Sequence, residues 1–288
     1  MPLSRARALF IAAVFIYGTI GPFVRFIDAP SEVVVLIRGI VGAATIAAAI
    51  ALTGRGLDVR GIRANAGWLV GTGLCLGFNW VALFAAYRWT SIAVASVCNY
   101  TAPVIFMLLA MPIFHERVTV FKLGCAAVAL LGVVLVSGVV GADPASFDPV
   151  GIGLGMLSAA GFVGIVICNR FVEDVDTFSR VLVQLACAAA VALVYVLWTH
   201  GGVPLPVDAT SWAFALLLGI VHTGFAYILW FGAQSHLPLA EVALLGYLEP
   251  VMSVVLSAIV LGEPLTGLGI AGAALVLGAA ATSEIVQS

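Results

Sequence analysis

Five side chains able to handle protons or ions interrupt the long apolar stretches of this 288-residue chain: Arg38, Asn79, Asn99, His222 and Glu249. Glu249 directly precedes Pro250, which removes a backbone donor and loosens a helix there. A carboxyl at that point would couple transport to a proton or hold a substrate ammonium. It would equally serve as a protonated structural carboxyl bonded to a neighbouring helix. His222, with an ordinary pKa of about 6.5, suits a proton relay or a hydrogen-bonding packer. Asn79 and Asn99 offer amide donors and acceptors that match an amino acid's two charged groups, or cross-helix bonds worth about 0.6–2 kcal/mol each. Arg38 would clamp a substrate carboxylate through its fork, or snorkel outward and pair with Asp28 or Glu32.

Rings with polar tips accompany these groups. Tyr17, Phe78, Trp80, Tyr100, Phe162, Tyr227 and Tyr247 fall near the middle of apolar segments, while Trp68, Trp89, Trp198 and Trp212 fall near segment ends and read as interfacial anchors. Trp80 shifted by 147 residues is Tyr227, and Tyr100 shifted by 147 is Tyr247. Rings contributed from equivalent positions around one axis would suit a flat aromatic ligand, and Asn79, Trp80, Asn99, Tyr100, His222, Tyr227 and Tyr247 form the candidate substrate-binding set.

Catalytic and metal chemistry find little here. His115-Glu116 is followed by Thr119 where a zincin needs its second His, and a Gly-x-Ser-x-Gly elbow is absent from the sequence. The five cysteines, Cys75, Cys98, Cys125, Cys168 and Cys187, contain no CxxC pair and fall in apolar stretches, as small packers do. An enzyme is not expected, nor a metal, a cofactor or a nucleic-acid partner.

The elements that must position the polar groups follow from composition. The chain is 63% hydrophobic and 9% charged, with mean hydropathy +1.19, against about 25% charged in soluble domains. Ten apolar stretches, at about 6–27, 31–53, 64–87, 91–114, 119–139, 149–170, 177–198, 210–234, 238–260 and 265–284, are each long enough to cross a hydrocarbon core of about 30 Å. Uninterrupted runs of this length satisfy their backbone as helices, so an all-α integral membrane protein of ten transmembrane helices is predicted. The first run continues to about Ile27 without an A-x-A site, which predicts an uncleaved first helix. With a cytoplasmic N-terminus, nine cations (Arg5, Arg7, Arg55, Arg60, Arg63, Arg117, Lys122, Arg170 and Arg180) lie toward the inner face and three (Arg25, Arg38 and Arg88) toward the outer. Positive charge concentrates inside, so both termini are predicted cytoplasmic in a multi-pass cell (inner) membrane protein.

The shift of 147 residues extends beyond the rings. Gly77-Phe78 meets Gly224-Phe225, Phe84 meets Phe231, Ala93 meets Ala240, Pro103-Val104 meets Pro250-Val251, Glu116 meets Glu263 and Thr119 meets Thr266. Arg25-Phe26 meets Arg170-Phe171 at a shift of 145. Two five-helix repeats, 1–141 and 149–288, are expected, and because five is odd the second is inverted in the membrane. Inverted repeats let a carrier exchange inward-open and outward-open states by swapping the conformations of its halves. Gly18, Gly21 and Pro22 weaken the first helix, and Pro103 and Pro250 the fourth and ninth, as gates or hinges would require. Gly73-xxx-Gly77 and Gly151-xxx-Gly155 suit close helix approach.

The segment Ala85-Ala86-Tyr87-Arg88-Trp89-Thr90-Ser91-Ile92-Ala93, leading to Pro103 and His115-Glu116-Arg117-Val118-Thr119, resembles the first signature of the drug/metabolite transporter superfamily, EamA branch. Leu239-Ala240, Tyr247-Leu248-Glu249-Pro250-Val251 and Leu261-Gly262-Glu263-Pro264-Leu265-Thr266 are similar to its later signature, and Leu36-Ile37-Arg38 matches the family's habit of an Arg there. Within the family the length and run of the chain resemble the YddG-type exporters of aromatic amino acids. The resemblance implies a ten-helix exporter of small metabolites with a central cavity between the repeats. The expectation is therefore a secondary transporter working by alternating access on small amino acids or related metabolites, aromatic amino acids leading. The alternatives are a proton-coupled exporter of drugs or other metabolites and, in a different class, an intramembrane enzyme or channel subunit. Its partners would be the substrate, membrane lipid and, in the coupled case, protons; the sequence leaves its oligomeric state open.

Overall fold

The computed structural model describes residues 1–142, 147–261 and 266–285; of Gly21, Pro22, Ser257, Val260, Leu261, Glu284 and Ile285 only the backbone course is described. Its elements are α1 (Leu3–Gly18), α2 (Ile20–Val24), α3 (Ser31–Leu52), α4 (Val59–Ala64), α5 (Ala66–Ala86), α6 (Ile92–Asn99), α7 (Ala102–Phe114), α8 (Val120–Val136), α9 (Pro149–Arg170), α10 (Thr177–His200), α11 (Ala209–Leu217), a π-helical turn (Leu218–Phe225), α12 (Ala226–Gln234), α13 (Leu239–Gly246), α14 (Leu248–Leu261) and α15 (Gly267–Ile285). Among the described residues every regular element is helical. Side chains close the helix starts where the chain leaves a loop. Asp148, Asp176 and Asp208 each accept main-chain N–H groups one turn into α9, α10 and α11, and Ser91 and Thr119 do so for α6 and α8.

Seven stretches among the described residues are long and apolar enough to cross a membrane: Ser31–Leu52, Ala66–Ala86, Ile92–Phe114, Pro149–Arg170, Thr177–His200, Ala209–Gln234 and Leu239–Leu256. Val120–Val136 and Gly267–Ser283 are shorter apolar helices. The span expected at 6–27 divides at Thr19 into α1 and α2, so the ten expected crossings meet seven of full length here. Three further expected helices are interrupted. The fourth breaks at Tyr100 and Thr101, just before Pro103 in the first turn of α7; the ninth breaks at Tyr247, just before Pro250 in the first turn of α14. The eighth widens into the π-helical turn. Hydrophobic periodicity detects none of these interruptions, because a broken helix keeps its apolar residues.

Packing across the middle of the chain is reciprocal. α9 lies on α5 and α6, while α1 lies on α12 and α14; α10 packs on α5 as α3 packs on the π-helical turn. α3 with α10, α7 with α13 and α8 with α15 complete the bundle. Small residues set the distances of approach, as the glycine spacing anticipates. A Cβ on Gly73 would lie 2.7 Å from the Gln184 carbonyl oxygen, and one on Gly77 2.6 Å from Val191 Cβ. Gly155 backs against Cys98, and Gly132 and Gly272 bring α8 and α15 into main-chain contact. Gly18 faces Met252 so closely that an added Cβ would sit 2.5 Å from it, so this candidate hinge is also a tight α1–α14 contact. The surroundings of Gly21 and Pro22, and Gly262, Glu263, Pro264 and Leu265 of the later signature, lie outside the described residues.

Candidate functional site

α3 carries Arg38 two turns from its start, and the neighbouring π-helical turn supplies its partner. Arg38 Nε donates to Thr223 Oγ1 at 3.1 Å, and that hydroxyl donates in turn to the Leu218 carbonyl at 3.0 Å. The guanidinium carbon lies 4.9 Å from the centre of the Trp80 ring, a cation–π contact. Trp80 meets Tyr227 edge-on, with centroids 6.3 Å apart, and Tyr227 meets Tyr17 at 5.8 Å and Phe231 at 5.3 Å. Trp80 and Tyr227, equivalent positions at the shift of 147, thus touch, and Tyr17 joins them.

Glu249, in the first turn of α14, faces the same interior. Its side chain is half-buried, and among the described residues no hydrogen bond or ion pair reaches its carboxylate. Glu249 lies within electrostatic reach of Tyr17, Tyr87, Tyr100 and Tyr227, and Arg38 within reach of Glu249, Tyr17, Tyr227 and His222. Arg38 and Glu249 are not paired with each other. Neither Asp28 nor Glu32 takes the Arg38 guanidinium: Glu32 instead holds Arg88, and His200 Nε2 at 2.9 Å. A guanidinium and a carboxyl group therefore face an interior walled by rings, and among the described residues each keeps hydrogen-bonding capacity that no bond takes up.

The two asparagines lie together in a different arrangement. Asn79 Nδ2 donates to Asn99 Oδ1 at 3.0 Å and to the Ser158 carbonyl at 2.8 Å. Ser158 Oγ lies 2.9 Å from Asn99 Oδ1 and 3.0 Å from the Asn79 carbonyl. The network stitches α5, α6 and α9 where Gly161 lets the backbones meet. It engages Asn79 Nδ2, Asn99 Oδ1 and the Ser158 hydroxyl with one another.

His222 and Tyr247 are also committed. His222 Nε2 lies 2.6 Å from Thr19 Oγ1 at the α1–α2 break, and its ring packs on Phe23. Tyr247 is fully buried, and its hydroxyl donates to the Tyr100 carbonyl at 3.0 Å. Tyr100 keeps its own half-buried ring near Glu249. Phe78 points outward, into a membrane-side groove of about 580 Å³ between α5, α9 and α10 that also takes Trp89, Leu157 and Trp198.

At the end of the bundle that carries the N-terminus, ion pairs tie the elements together. Arg170 binds Glu116 at 3.2 Å and the Leu237 carbonyl at 3.2 Å; Glu116 also accepts the Leu239 N–H at 3.0 Å, and Arg7 pairs with Glu241. A cavity of about 420 Å³ beside them takes Arg117, Lys122 and His236. No three His, Cys, Asp or Glu side chains converge as a metal site among the described residues.

Sequence reasoning left out Thr223, Ser158, Tyr17 and Tyr87 as site residues. Tyr17 and Tyr87 carried the same signal as the chosen tyrosines, a polar ring in an apolar run. Thr223 and Ser158 carry none, because hydroxyls that bond within or across helices are common in membrane spans.

The profile of the EamA-like transporter family matches residues 5–138 and again 149–283. An uncharacterized transporter of Bacillus subtilis, YxxF, is 23% identical over 261 residues, spanning 90% of this chain and 83% of the relative. An uncharacterized transporter of Haemophilus influenzae is 27% identical over 186 residues, 64% of this chain and 59% of the relative. One of Vibrio cholerae is 24% identical over 201 residues, 69% and 63% of the two. A crystal structure of a protein at 22% identity superposes with a TM-score of 0.83 over 98% of both chains, a likeness of fold. Apolar helices, a polar interior and two matches of one profile lead to a single conclusion: the chain belongs to the EamA-like transporter family, a family of membrane transporters rather than enzymes.

Proposed function

We propose that this transporter is a secondary carrier exporting small amino acids or related metabolites, aromatic amino acids foremost, by alternating access. The observation that carries the reading is the unpaired placement of Arg38 and Glu249 around one aromatic-walled interior. A zwitterion supplies what each lacks: its carboxylate answers the Arg38 fork, and its ammonium answers Glu249. Trp80, Tyr227 and Tyr17 then flank the side chain, which favours a flat ring. Asn79 and Asn99 act as a helix lock in this reading, and Tyr100, Tyr247, Pro103 and Pro250 mark paired hinges. His222 and Gly18 hold the first helix against its neighbours.

The architecture behind this is two inverted five-helix repeats, 1–141 and 149–288, making ten crossings, with both termini in the cytoplasm and the chain in the inner membrane. Reciprocal packing between the two parts and the two profile matches support it. YddG-type specificity is part of the same proposal. Coupling to protons is a second reading, favoured by a membrane-depth carboxyl, Glu249, that makes no hydrogen bond or ion pair among the described residues.

Uptake of radiolabelled phenylalanine, tryptophan, alanine and threonine into proteoliposomes, with and without a pH gradient, tests both. Saturable flux of the aromatics is expected. Flux of none of the four would overturn the amino-acid assignment, and a flux unmoved by the gradient would overturn proton coupling.

A further inference from the structure

We propose that Thr223, presented by the π-helical turn, is the positioning residue of Arg38, fixing the Nε edge of the guanidinium so that its terminal nitrogens face the transport cavity. This rests on the reading of Arg38 as the partner of a substrate anion. Four observations converge on it.

First, the polarity of the contact is settled. A threonine hydroxyl has one proton, and that of Thr223 goes to the Leu218 carbonyl at 3.0 Å, leaving a lone pair for Arg38 Nε at 3.1 Å. Second, Thr223 cannot rotate away, because α3 is packed on its methyl group. A Cβ on Gly42 would lie 2.7 Å from Thr223 Cγ2, so that glycine leaves room for the threonine and nothing more. Third, the turn is seated against α3 along its length, with Gly219 on Val41 and Gly224 on Thr45. Fourth, the residue before Thr223 anchors the other side, His222 Nε2 lying 2.6 Å from Thr19 Oγ1.

The widened turn is what allows this. π-helical turns insert a residue into a helix and are frequent at functional sites. Here the turn spans Leu218–Phe225, and nothing similar occurs in α5, the element 147 residues earlier. It supplies the carbonyl five residues back that takes the Thr223 proton. Arg38 is thereby held by its Nε edge and by the Trp80 face. Both contacts leave the paired Nη atoms for a carboxylate, and a guanidinium already oriented loses less freedom on binding one.

Thr223→Val keeps the shape and deletes the hydroxyl; Thr223→Ser keeps the hydroxyl and deletes the methyl. In reconstituted flux assays, Thr223→Val is expected to raise KM for phenylalanine by about tenfold, the scale of one charge-assisted hydrogen bond, with the maximal rate within about twofold. KM for phenethylamine, which lacks the carboxylate, is expected to stay put, and Thr223→Ser to restore phenylalanine. A parallel measurement needs no substrate: the rate of phenylglyoxal modification of Arg38, read by peptide mass spectrometry. It is expected to fall in Thr223→Val, where the terminal nitrogens are no longer held toward the cavity, and to be kept in Thr223→Ser. Unchanged modification in Thr223→Val overturns the positioning role even if transport is impaired. If modification falls as expected while Arg38→Ala leaves KM for phenylalanine unaltered, the positioning stands and the carboxylate reading of Arg38 falls.

Discussion

The hydroxyl of Tyr247 donates to the main-chain carbonyl of Tyr100, 3.0 Å away and 147 residues earlier in the chain. Each residue sits at the break of its own helix, between α6 and α7 or between α13 and α14. The Val104 main chain, four residues after Tyr100, faces the same hydroxyl, so the phenol occupies the place of a missing helical bond.

Tyr247→Phe is therefore expected to cost about 1–3 kcal/mol, because a buried carbonyl loses its donor. Thermal unfolding in detergent should show a lowered Tm. Tyr100→Phe should be much milder, since its contribution to the pair is main chain. Equal losses in the two variants would place the stabilisation in the rings instead.

The asparagine lock yields a second expectation. Asn79→Ala and Ser158→Ala should each destabilise by about 0.6–1.7 kcal/mol, the range for hydrogen bonds between membrane helices. Because they share bonds through Asn99, the double variant should lose less than the sum, by about 0.5 kcal/mol or more. KM for any transported substrate should stay within about twofold in the single variants, as Asn79 Nδ2 and Ser158 Oγ are engaged with each other and with Asn99. A large KM change at undiminished stability would restore Asn79 to the substrate site.

Legibility in the sequence divided along physical lines. Long apolar runs locate helices because lipid leaves the backbone no other partner, and the ends of α3, α5, α9 and α10 fall within about two residues of expectation. Trp80 and Tyr227 stood out in the sequence as equivalent positions 147 residues apart, and in the fold their rings meet edge-on. Which side of a helix each polar group presents was not legible. Asn79 and Asn99, 20 residues apart, read either as substrate ligands or as cross-helix bonding groups; in the fold they bond to each other and, through Asn79, to Ser158 on α9. Thr223 was invisible because its importance arises from the π-helical turn, a backbone feature with no composition of its own.

Glu116 joins three elements at the N-terminal end of the bundle, binding Arg170 of α9 through one oxygen and the first N–H of α13 through the other. A transporter opening toward that end must part these contacts. Glu116→Ala is expected to favour the open arrangement. A thiol introduced by Leu244→Cys, at a buried position on α13, should then react faster with a membrane-impermeant maleimide applied from that side. The comparison belongs in a background with the five native cysteines replaced. An unchanged rate would mean that the ion pair only anchors α13 and has no part in opening.

Asp176 gives a pH dependence with a definite sign. It stands just ahead of α10, and its carboxylate accepts the N–H groups of Phe178 at 3.0 Å and Ser179 at 2.9 Å. Partial burial pulls its pKa upward, but the bonds from Ser179 and Phe178 and the nearby Arg55 outweigh this and hold it below the usual carboxylate value. A depressed folded-state pKa means stabilisation that is complete above the unfolded value of about 3.9 and lost as pH falls through the folded one. Asp176→Ala should thus cost about 1 kcal/mol at neutral pH, as for other helix caps. The gap between wild type and Asp176→Ala should stay flat from neutrality to about pH 5 and close below about pH 4. Asp176→Asn, which caps nearly as well without titrating, should lack the acid-dependent part. Unfolding midpoints across this range decide it; a gap that persists undiminished at pH 3 would mean that packing of Asp176, not its ionised cap, stabilises the start of α10.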